Sequence, residues 1–230
     1  MTMRYGRSLY RSNTTYTVYM YKSRDEWLKG RVRGIGGSDA AAAIGRNPWK
    51  SNLQLWEEKT GRKKIEDISD KPSVKYGTDA EEYLRRLYQL DRAGKYEVQY
   101  MKNVIIQSVR YPELLYSPDG LLLDKKNGKK GLLEIKTTSI MRSYDREKWN
   151  DRIPDNYFIQ VLHGLNVTGF DFIELCAQLK YDDNYSQRRI YHIDRSDVED
   201  DCEYLIEQLC TFWREYVLPD IEPGLILPQI

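Results

Sequence analysis

Residues 117–136 constrain the fold more than any other stretch of this sequence. Two apolar runs flank Asn127-Gly128, a dipeptide typical of two-residue hairpin turns. The segment therefore predicts an antiparallel hairpin in which Asp119 faces Lys136. Because side chains alternate along a strand, Glu134 and Lys136 are expected on one face of the hairpin, together with Asp119.

The carboxylates of this hairpin are spaced to hold a divalent cation. In the predicted register Leu121 faces Glu134, and Asp119 lies diagonal to Glu134 at roughly 7–8 Å between backbones. Two carboxylates across that gap can bracket Mg²⁺, which activates water for phosphodiester cleavage while Lys136 orients or deprotonates that water. An isolated Asp…Glu-x-Lys match arises by chance and indicates only a surface hairpin. Here Pro118, the spacing and the apolar strands occur together, which favours a metal site.

The rest of the sequence predicts helices and strands around this hairpin. Helices are expected at residues 25–29, 39–44, 52–60, 74–93, 155–168 and from 196. Strands are expected within residues 5–21 and at 96–107, 121–124, 132–137, 172–179 and 188–193. Ser38 is expected to cap the second helix. Ala80, Tyr83, Leu84, Leu87 and Tyr88 are expected to form the buried face of the fourth helix. This order of elements predicts an α/β fold with a mixed sheet.

Composition predicts one folded domain over residues 1–230, with a basic segment at residues 1–24 packing on it. The 230 residues are 40% hydrophobic and 31% charged, which excludes a disordered or low-complexity chain. Apolar runs are too short to cross a membrane, and no signal peptide is evident. Three cysteines predict a reducing compartment and are too few for a four-thiolate iron–sulfur site.

Charge is distributed unevenly along the chain although the net charge is only +1. Residues 1–33 contain eight Lys or Arg and two Asp or Glu, whereas residues 194–230 contain two Arg and ten Asp or Glu. This asymmetry predicts a basic entry face and an acidic far side. Two oppositely charged solvated surfaces explain it equally well.

Several segments together resemble one known family. Pro118-Asp119 followed by Glu134-Ile135-Lys136 resembles the PD-(D/E)xK nuclease motif. Four further matches narrow the resemblance to the phage λ exonuclease/YqaJ viral recombinase family. They are Trp27 with Arg31 leading into residues 34–41, residues 48–50 with 55–61, Gly77 with Glu81, and Tyr157 with Gln160 and Val161. The resemblance implies a restriction-endonuclease-like core in which a central mixed β-sheet is flanked by helices.

The resemblance also implies a role for each matching site residue. Asp119 and Glu134 would bind the metal, and Glu81 would support the metal site directly or through water. Lys136 would assist the attacking water, and Gln160 would lie beside the scissile phosphate. The residues that would hold the 5′-terminal phosphate are Arg31, Ser38 and Ser117.

The activity implied is that of a Mg²⁺-dependent 5′→3′ exonuclease, with Mn²⁺ able to substitute. It would degrade one strand of duplex DNA from a 5′-phosphorylated end. The family also implies a homotrimeric ring, a single-strand annealing protein as partner, and a cytoplasmic location in a bacterial cell, encoded by a phage or prophage.

Two alternatives stay open, a PD-(D/E)xK endonuclease of restriction or repair type and a non-catalytic DNA-end-binding protein. The end-binding residues argue against the first of these. The intact set of Asp119, Glu134 and Lys136 argues against the second.

Overall fold

A five-stranded mixed sheet forms the centre of the fold in the computed structural model, which describes residues 8–182 and 184–227. Its strands are β2 (Tyr96–Gln99), β5 (Gly120–Asp124), β6 (Lys130–Ser139), β7 (Phe172–Lys180) and β8 (Ser186–Asp194), adjacent in that order. Only β6 and β7 pair in parallel; the other neighbours are antiparallel. Helices lie against this sheet, which confirms the predicted fold class.

A second sheet of three antiparallel strands lies beside the first. It consists of β1 (Tyr16–Met20), β3 (Val104–Ser108) and β4 (Leu115–Tyr116), in that order. Residues 96–107 are thus mostly β structure as predicted, but they form two strands, β2 and β3, that belong to different sheets. The chain reverses between them at Asn103, which adopts a positive φ of 54°.

Seven α-helices surround the sheets in the part of the chain that the structure describes. They are α1 (Arg24–Arg31), α2 (Gly37–Ala43), α3 (Asn52–Lys59), α4 (Pro72–Asp91), α5 (Ser143–Glu147), α6 (Asp155–Thr168) and α7 (Glu199–Phe212). The helix α6 has the predicted bounds and ends at Gly169, whose φ of 65° suits glycine at a helix C-terminus. A 3₁₀ turn, Arg195–Asp197, precedes α7, so that helix begins later than predicted.

The two faces of the large sheet are covered by different helices. Leu132 and Leu175 face the core that contains Val161 of α6, whereas Leu133 and Ile135 face a smaller core that contains α4. Alternation along β6 therefore places Glu134 and Lys136 on the α6 side. This division into faces agrees with the hairpin prediction.

The buried face of α4 differs from the prediction. Leu84 and Tyr88 are buried as expected, but Tyr83 is 67% exposed and Leu87 is also exposed. Arg85 is buried in their place, at 6% exposure. The apolar spacing alone misplaced this face because the helix buries an arginine that has partners in the adjoining site.

The hairpin register also differs from the prediction, because the turn is longer. Asp124 and Lys129 close a four-residue loop, within which Gly128 has a φ of 73°. The Asp124 carboxylate accepts the backbone N–H groups of Lys126 and Asn127, which stabilises this loop over a two-residue turn. Leu121 consequently pairs with Leu132, two residues from the predicted partner. A shift of two preserves which side chains share a face.

The N-terminal segment contacts the core over its described part. Leu9, Tyr10 and Tyr16 are buried, and the Tyr16 hydroxyl donates to the Leu9 carbonyl at 3.0 Å. Residues 1–7 of the predicted basic segment lie outside the described residues. Among residues 8–182 and 184–227, no helix combines the length and hydrophobicity that a membrane span requires.

Candidate active site

The site lies at the N-terminal end of β5. The pairing of β5 with β6 stops at Gly120 and Leu133, whereas β6 continues to Ser139. Beyond that point a side chain replaces the strand pairing, because the Ile135 N–H donates to Oδ2 of the Asp119 carboxylate at 2.7 Å. Asp119 is therefore fixed at an opening in the sheet, next to the strand that carries Glu134 and Lys136.

Glu134 is the buried centre of the site, at 1% exposure. Its Oε1 accepts from Lys136 Nζ and from Gln160 Nε2, each at 2.5 Å, and its Oε2 accepts from the Tyr116 hydroxyl. Three elements thus converge on one carboxylate: β6, α6 and β4. Tyr116 was missed from the sequence, because nothing local distinguishes it among nineteen tyrosines.

Lys136 is enclosed on the same face. Its Nζ lies 5.5 Å from the centroid of the Tyr157 ring, on α6. Burial disfavours the ammonium, but the charges of Glu134 and Asp119 outweigh burial and raise the pKa of Lys136 above its ordinary value. Without a bound cation, Lys136 is therefore held protonated.

A third carboxylate reaches the site from α4. Glu81 Oε1 accepts from Arg85 Nη1 at 2.8 Å, and the same nitrogen donates to the Asp119 carbonyl at 3.2 Å. Burial raises the pKa of Glu81; Arg85 opposes that rise, and the charge of Glu134 adds to it. The structure thus brings all five residues predicted for the cleavage centre into one place.

The carboxylates of this cluster could hold a divalent cation. Burial, together with the charges of Glu134 and Glu81, raises the pKa of Asp119 well above its ordinary range. A bound Mg²⁺ would favour the ionised forms of Asp119 and Glu81, and carboxylate oxygens are its preferred protein ligands. Within the described ranges no three Asp, Glu, His or Cys side chains form a ready-made metal-binding group. Each carboxylate is held by protein donors instead.

The three residues predicted to hold a 5′-phosphate are linked through a tryptophan. Arg31 Nη2 donates to Ser38 Oγ at 2.9 Å, and the Arg31 guanidinium lies 4.7 Å from the centroid of the Trp27 ring. The Trp27 Nε1 donates to Ser117 Oγ at 3.1 Å and to the Val104 carbonyl at 3.2 Å. Trp27 was part of the family resemblance but had no predicted role.

The predicted capping role of Ser38 was wrong. Gly36 is the N-cap of α2, because its N–H donates to Asp39 Oδ2 at 3.2 Å. Ser38 lies within the first turn, where its hydroxyl is available to Arg31. Asp39 also pairs with Lys59 at 2.8 Å, and Lys59 donates to the Arg31 carbonyl at 3.3 Å.

Asp39 keeps its charge although it is buried. Burial by itself raises the pKa of Asp39, but the charges of Lys59 and Arg31 outweigh burial and lower it to about 2. The sequence analysis did not identify this buried ion pair, whose Lys59 also donates to the Arg31 carbonyl.

The start of α2 contacts the side chains that hold Glu134, and the same helix carries Ser38. A Cβ at Gly37 would lie 3.0 Å from Cγ of Gln160 and 3.3 Å from the Tyr116 ring. The helix that carries Ser38 therefore packs directly on two side chains that hold Glu134. The Arg31–Ser38 pair, which was predicted to bind the 5′-phosphate, therefore lies beside the carboxylate cluster.

Comparisons with known proteins identify the family to which this chain belongs. Residues 26–171 match the model of the YqaJ-like viral recombinase domain. The uncharacterized protein YqaJ of Bacillus subtilis (strain 168) is 33% identical over 204 residues, which cover 88% of this chain and 59% of that protein. This chain thus spans about three fifths of the length of that relative.

Solved structures show the same fold. The alkaline exonuclease LHK-Exo from Laribacter hongkongensis superposes with a TM-score of 0.62 at 19% identity, covering 83% of this chain and 91% of that one. LHK-Exo in complex with dAMP gives a TM-score of 0.61 at 20% identity, with the same coverage. These two likenesses show a shared fold, a central mixed sheet flanked by helices. The chain belongs to the YqaJ-like viral recombinase domain family.

Proposed function

We propose that this chain is a metal-dependent 5′→3′ exonuclease that degrades one strand of linear duplex DNA from a 5′-phosphorylated end. The product is a 3′ single-stranded overhang for phage-type recombination. The observation that carries the proposal is the contact of Gly37 with Gln160 and Tyr116, which sets the Arg31–Ser38 pair beside the carboxylate cluster. An endonuclease has no need of a terminal-phosphate site next to its cleavage centre.

Asp119 and Glu134 would hold Mg²⁺ or Mn²⁺, with Glu81 in support. The metal would supply a Lewis acid for the phosphate and lower the pKa of a water molecule. Lys136 neutralises charge beside the attacking water and holds or releases a proton at Nζ. Gln160, which lies between Glu134 and the start of α2, orients the scissile phosphate through its amide.

Arg31, Ser38 and Ser117 would recognise the terminal phosphate. The guanidinium is suited to two parallel hydrogen bonds with phosphate oxygens, and stacking on Trp27 holds it in place. The hydroxyls of Ser38 and Ser117 provide further donors. A 5′-hydroxyl end would leave these donors without an acceptor, so the phosphorylated end is preferred.

The assembly and the partners are also proposals. The family resemblance supports a homotrimeric ring that encircles DNA ends, together with a single-strand annealing protein that receives the overhang. It further supports a phage or prophage origin and action in the cytoplasm of a bacterial cell.

A nuclease assay with Mg²⁺ tests the proposed function. The substrates are linear duplex with 5′-phosphate, the same duplex with 5′-hydroxyl, and closed circular DNA. Mononucleotide release from the phosphorylated linear duplex is expected, and Lys136→Ala is expected to lower its rate about 10²- to 10⁴-fold while retaining DNA binding. Nicking of the circle would establish the endonuclease alternative, and binding without cleavage would establish the end-binding alternative.

Arg31→Ala tests end recognition separately from chemistry. The variant is expected to lose the preference for 5′-phosphate over 5′-hydroxyl ends, because the terminal phosphate is the part of the DNA that the guanidinium would contact. Initial rates on the two linear substrates measure this preference. An equal loss on both substrates would make Arg31 a general DNA contact.

A further inference from the structure

Arg85 is a buried charge with no role in the family resemblance. It lies on α4 at 6% exposure, one turn after Glu81. Burying an arginine costs free energy unless its donors are paired, so the contacts of Arg85 indicate its role. The contacts that the structure describes are with Glu81, Asp119 and Tyr100.

The contacts of Arg85 connect two separate parts of the chain. Nη1 donates both to Glu81 Oε1 on its own helix and to the Asp119 carbonyl, 34 residues away in sequence, just before β5. Its guanidinium carbon lies 3.3 Å from the centroid of the Tyr100 ring, so the ring holds the guanidinium from one face. One side chain thereby fixes Glu81 relative to Asp119.

We propose that Arg85 is a positioning residue that holds the Glu81 carboxylate beside Asp119, ready for the divalent cation. This inference rests on the proposed function, because it names what organises the metal ligands of that same site. Among the described residues Arg85 contacts Glu81, the Asp119 carbonyl and Tyr100, so we infer that it acts through Glu81 and Asp119. Partners of metal ligands commonly change metal affinity about 10- to 100-fold when they are replaced.

Geometry and charge make opposite predictions for this residue. If Arg85 mattered only as a positive charge, lysine would replace it fully. If it mattered only by repelling the cation, its removal would strengthen metal binding. The positioning role instead needs the planar guanidinium, because one nitrogen bridges two acceptors while the plane stacks on Tyr100, and an ammonium cannot reproduce that arrangement.

The same helix offers a matched control one residue further on. Arg86 Nη2 pairs with Glu82 Oε1 at 2.5 Å with the same i, i+4 spacing, but both side chains are exposed, at 68% and 59%. An exposed pair of this kind contributes little to stability. Arg86→Lys therefore controls for an arginine change on α4 that leaves the site untouched.

The experiment compares Arg85→Lys, Arg85→Gln and Arg86→Lys with the wild-type protein. Calorimetric titration with Mg²⁺, and then with Mn²⁺, is done without DNA, and kcat and KM are measured on 5′-phosphorylated duplex. Both Arg85 variants are expected to bind Mg²⁺ about 10- to 100-fold more weakly, with KM for DNA unchanged at saturating Mg²⁺. Arg86→Lys is expected to match wild type in each measurement.

Other outcomes separate the failure of this inference from failure of the proposed function. Wild-type affinity in Arg85→Lys, or in both Arg85 variants, overturns the positioning role. If neither variant folds, Tyr100→Leu removes only the stacking. It is expected to weaken Mg²⁺ binding about threefold, and an unchanged affinity would overturn the inference. A wild-type protein that neither binds the cations nor cleaves DNA overturns the proposed function itself.

Discussion

Two glutamates at 1% exposure lie on neighbouring strands but on opposite faces of the large sheet. Glu134 on β6 faces α6, whereas Glu174 on β7 faces α4. Both accept hydrogen bonds from tyrosine and both contact cationic side chains. They differ in the charge of their wider surroundings, and that difference separates a candidate active centre from a structural ion network.

Glu174 is surrounded by donors. It accepts from the hydroxyls of Tyr88 and Tyr96 at 2.7 and 3.0 Å and from His192 Nδ1 at 3.2 Å. Arg92 Nε lies 3.3 Å and Lys95 Nζ 3.8 Å from its oxygens. Burial, together with the Glu174 charge, raises the pKa of both tyrosines, which keeps them protonated as donors. This carboxylate is balanced without any ligand.

Glu134 also contacts donors, but two further carboxylates, those of Asp119 and Glu81, lie near it. Lys136 and Gln160 share its Oε1, and the charges of Glu134 and Glu81 raise the pKa of Asp119. Like charges gathered in a buried place are costly unless a cation joins them. Burial of a carboxylate therefore does not distinguish a candidate active site from a structural ion network, whereas the charges of the neighbouring side chains do.

The largest expected effect comes from Glu134→Gln. Loss of this carboxylate should lower cleavage about 10³-fold, equivalent to about 4 kcal/mol, because the change removes a proposed metal ligand. The free energy of unfolding should change by only about 1 kcal/mol, because relief of the repulsion of Asp119 offsets the loss of the ion pair with Lys136. Turnover on 5′-phosphorylated duplex and urea unfolding measure the two effects. Near-wild-type turnover would contradict the distinction between the two glutamates.

Glu174→Gln should show the reverse pattern. The change leaves Arg92 and Lys95 without their charge partner and weakens two tyrosine hydrogen bonds, so unfolding free energy should fall by about 2–3 kcal/mol. Cleavage per folded molecule should stay within about twofold of wild type. Urea unfolding and active-site-normalised turnover test this, and a selective loss of turnover would place Glu174 in the mechanism.

Asp39 sharpens the comparison with a smaller effect. Its folded-state pKa of about 2 lies below the value of an unpaired aspartate, so its ion pair stabilises the fold fully above about pH 4. That contribution, about 2 kcal/mol, should be lost as pH falls from about 4 to 2. Asp39→Asn should therefore be less stable than wild type at pH 7, with a gap that narrows in acid. Urea unfolding at several pH values measures the gap, and a constant gap would contradict the assignment.

Sequence patterns predicted the mixed sheet, the bounds of α6 and the shared face of Glu134 and Lys136. These features depend on local periodicity and on glycine and proline at element ends, which neighbouring residues encode. The hairpin register was missed because Asp124 stabilises a four-residue loop in competition with the Asn127-Gly128 turn. Such competition is decided by side-chain hydrogen bonds that dipeptide preferences do not include.

Local patterns in the chain predict most of the helices and strands and the residue types that bear the candidate chemistry. They do not predict that Arg85 joins Glu81 to Asp119, or that Trp27 reaches Ser117 across 90 residues of sequence. Such contacts depend on how α1 and α4 pack against the sheets. Packing is set by the whole core, whereas helical and strand periodicity are set within a few residues.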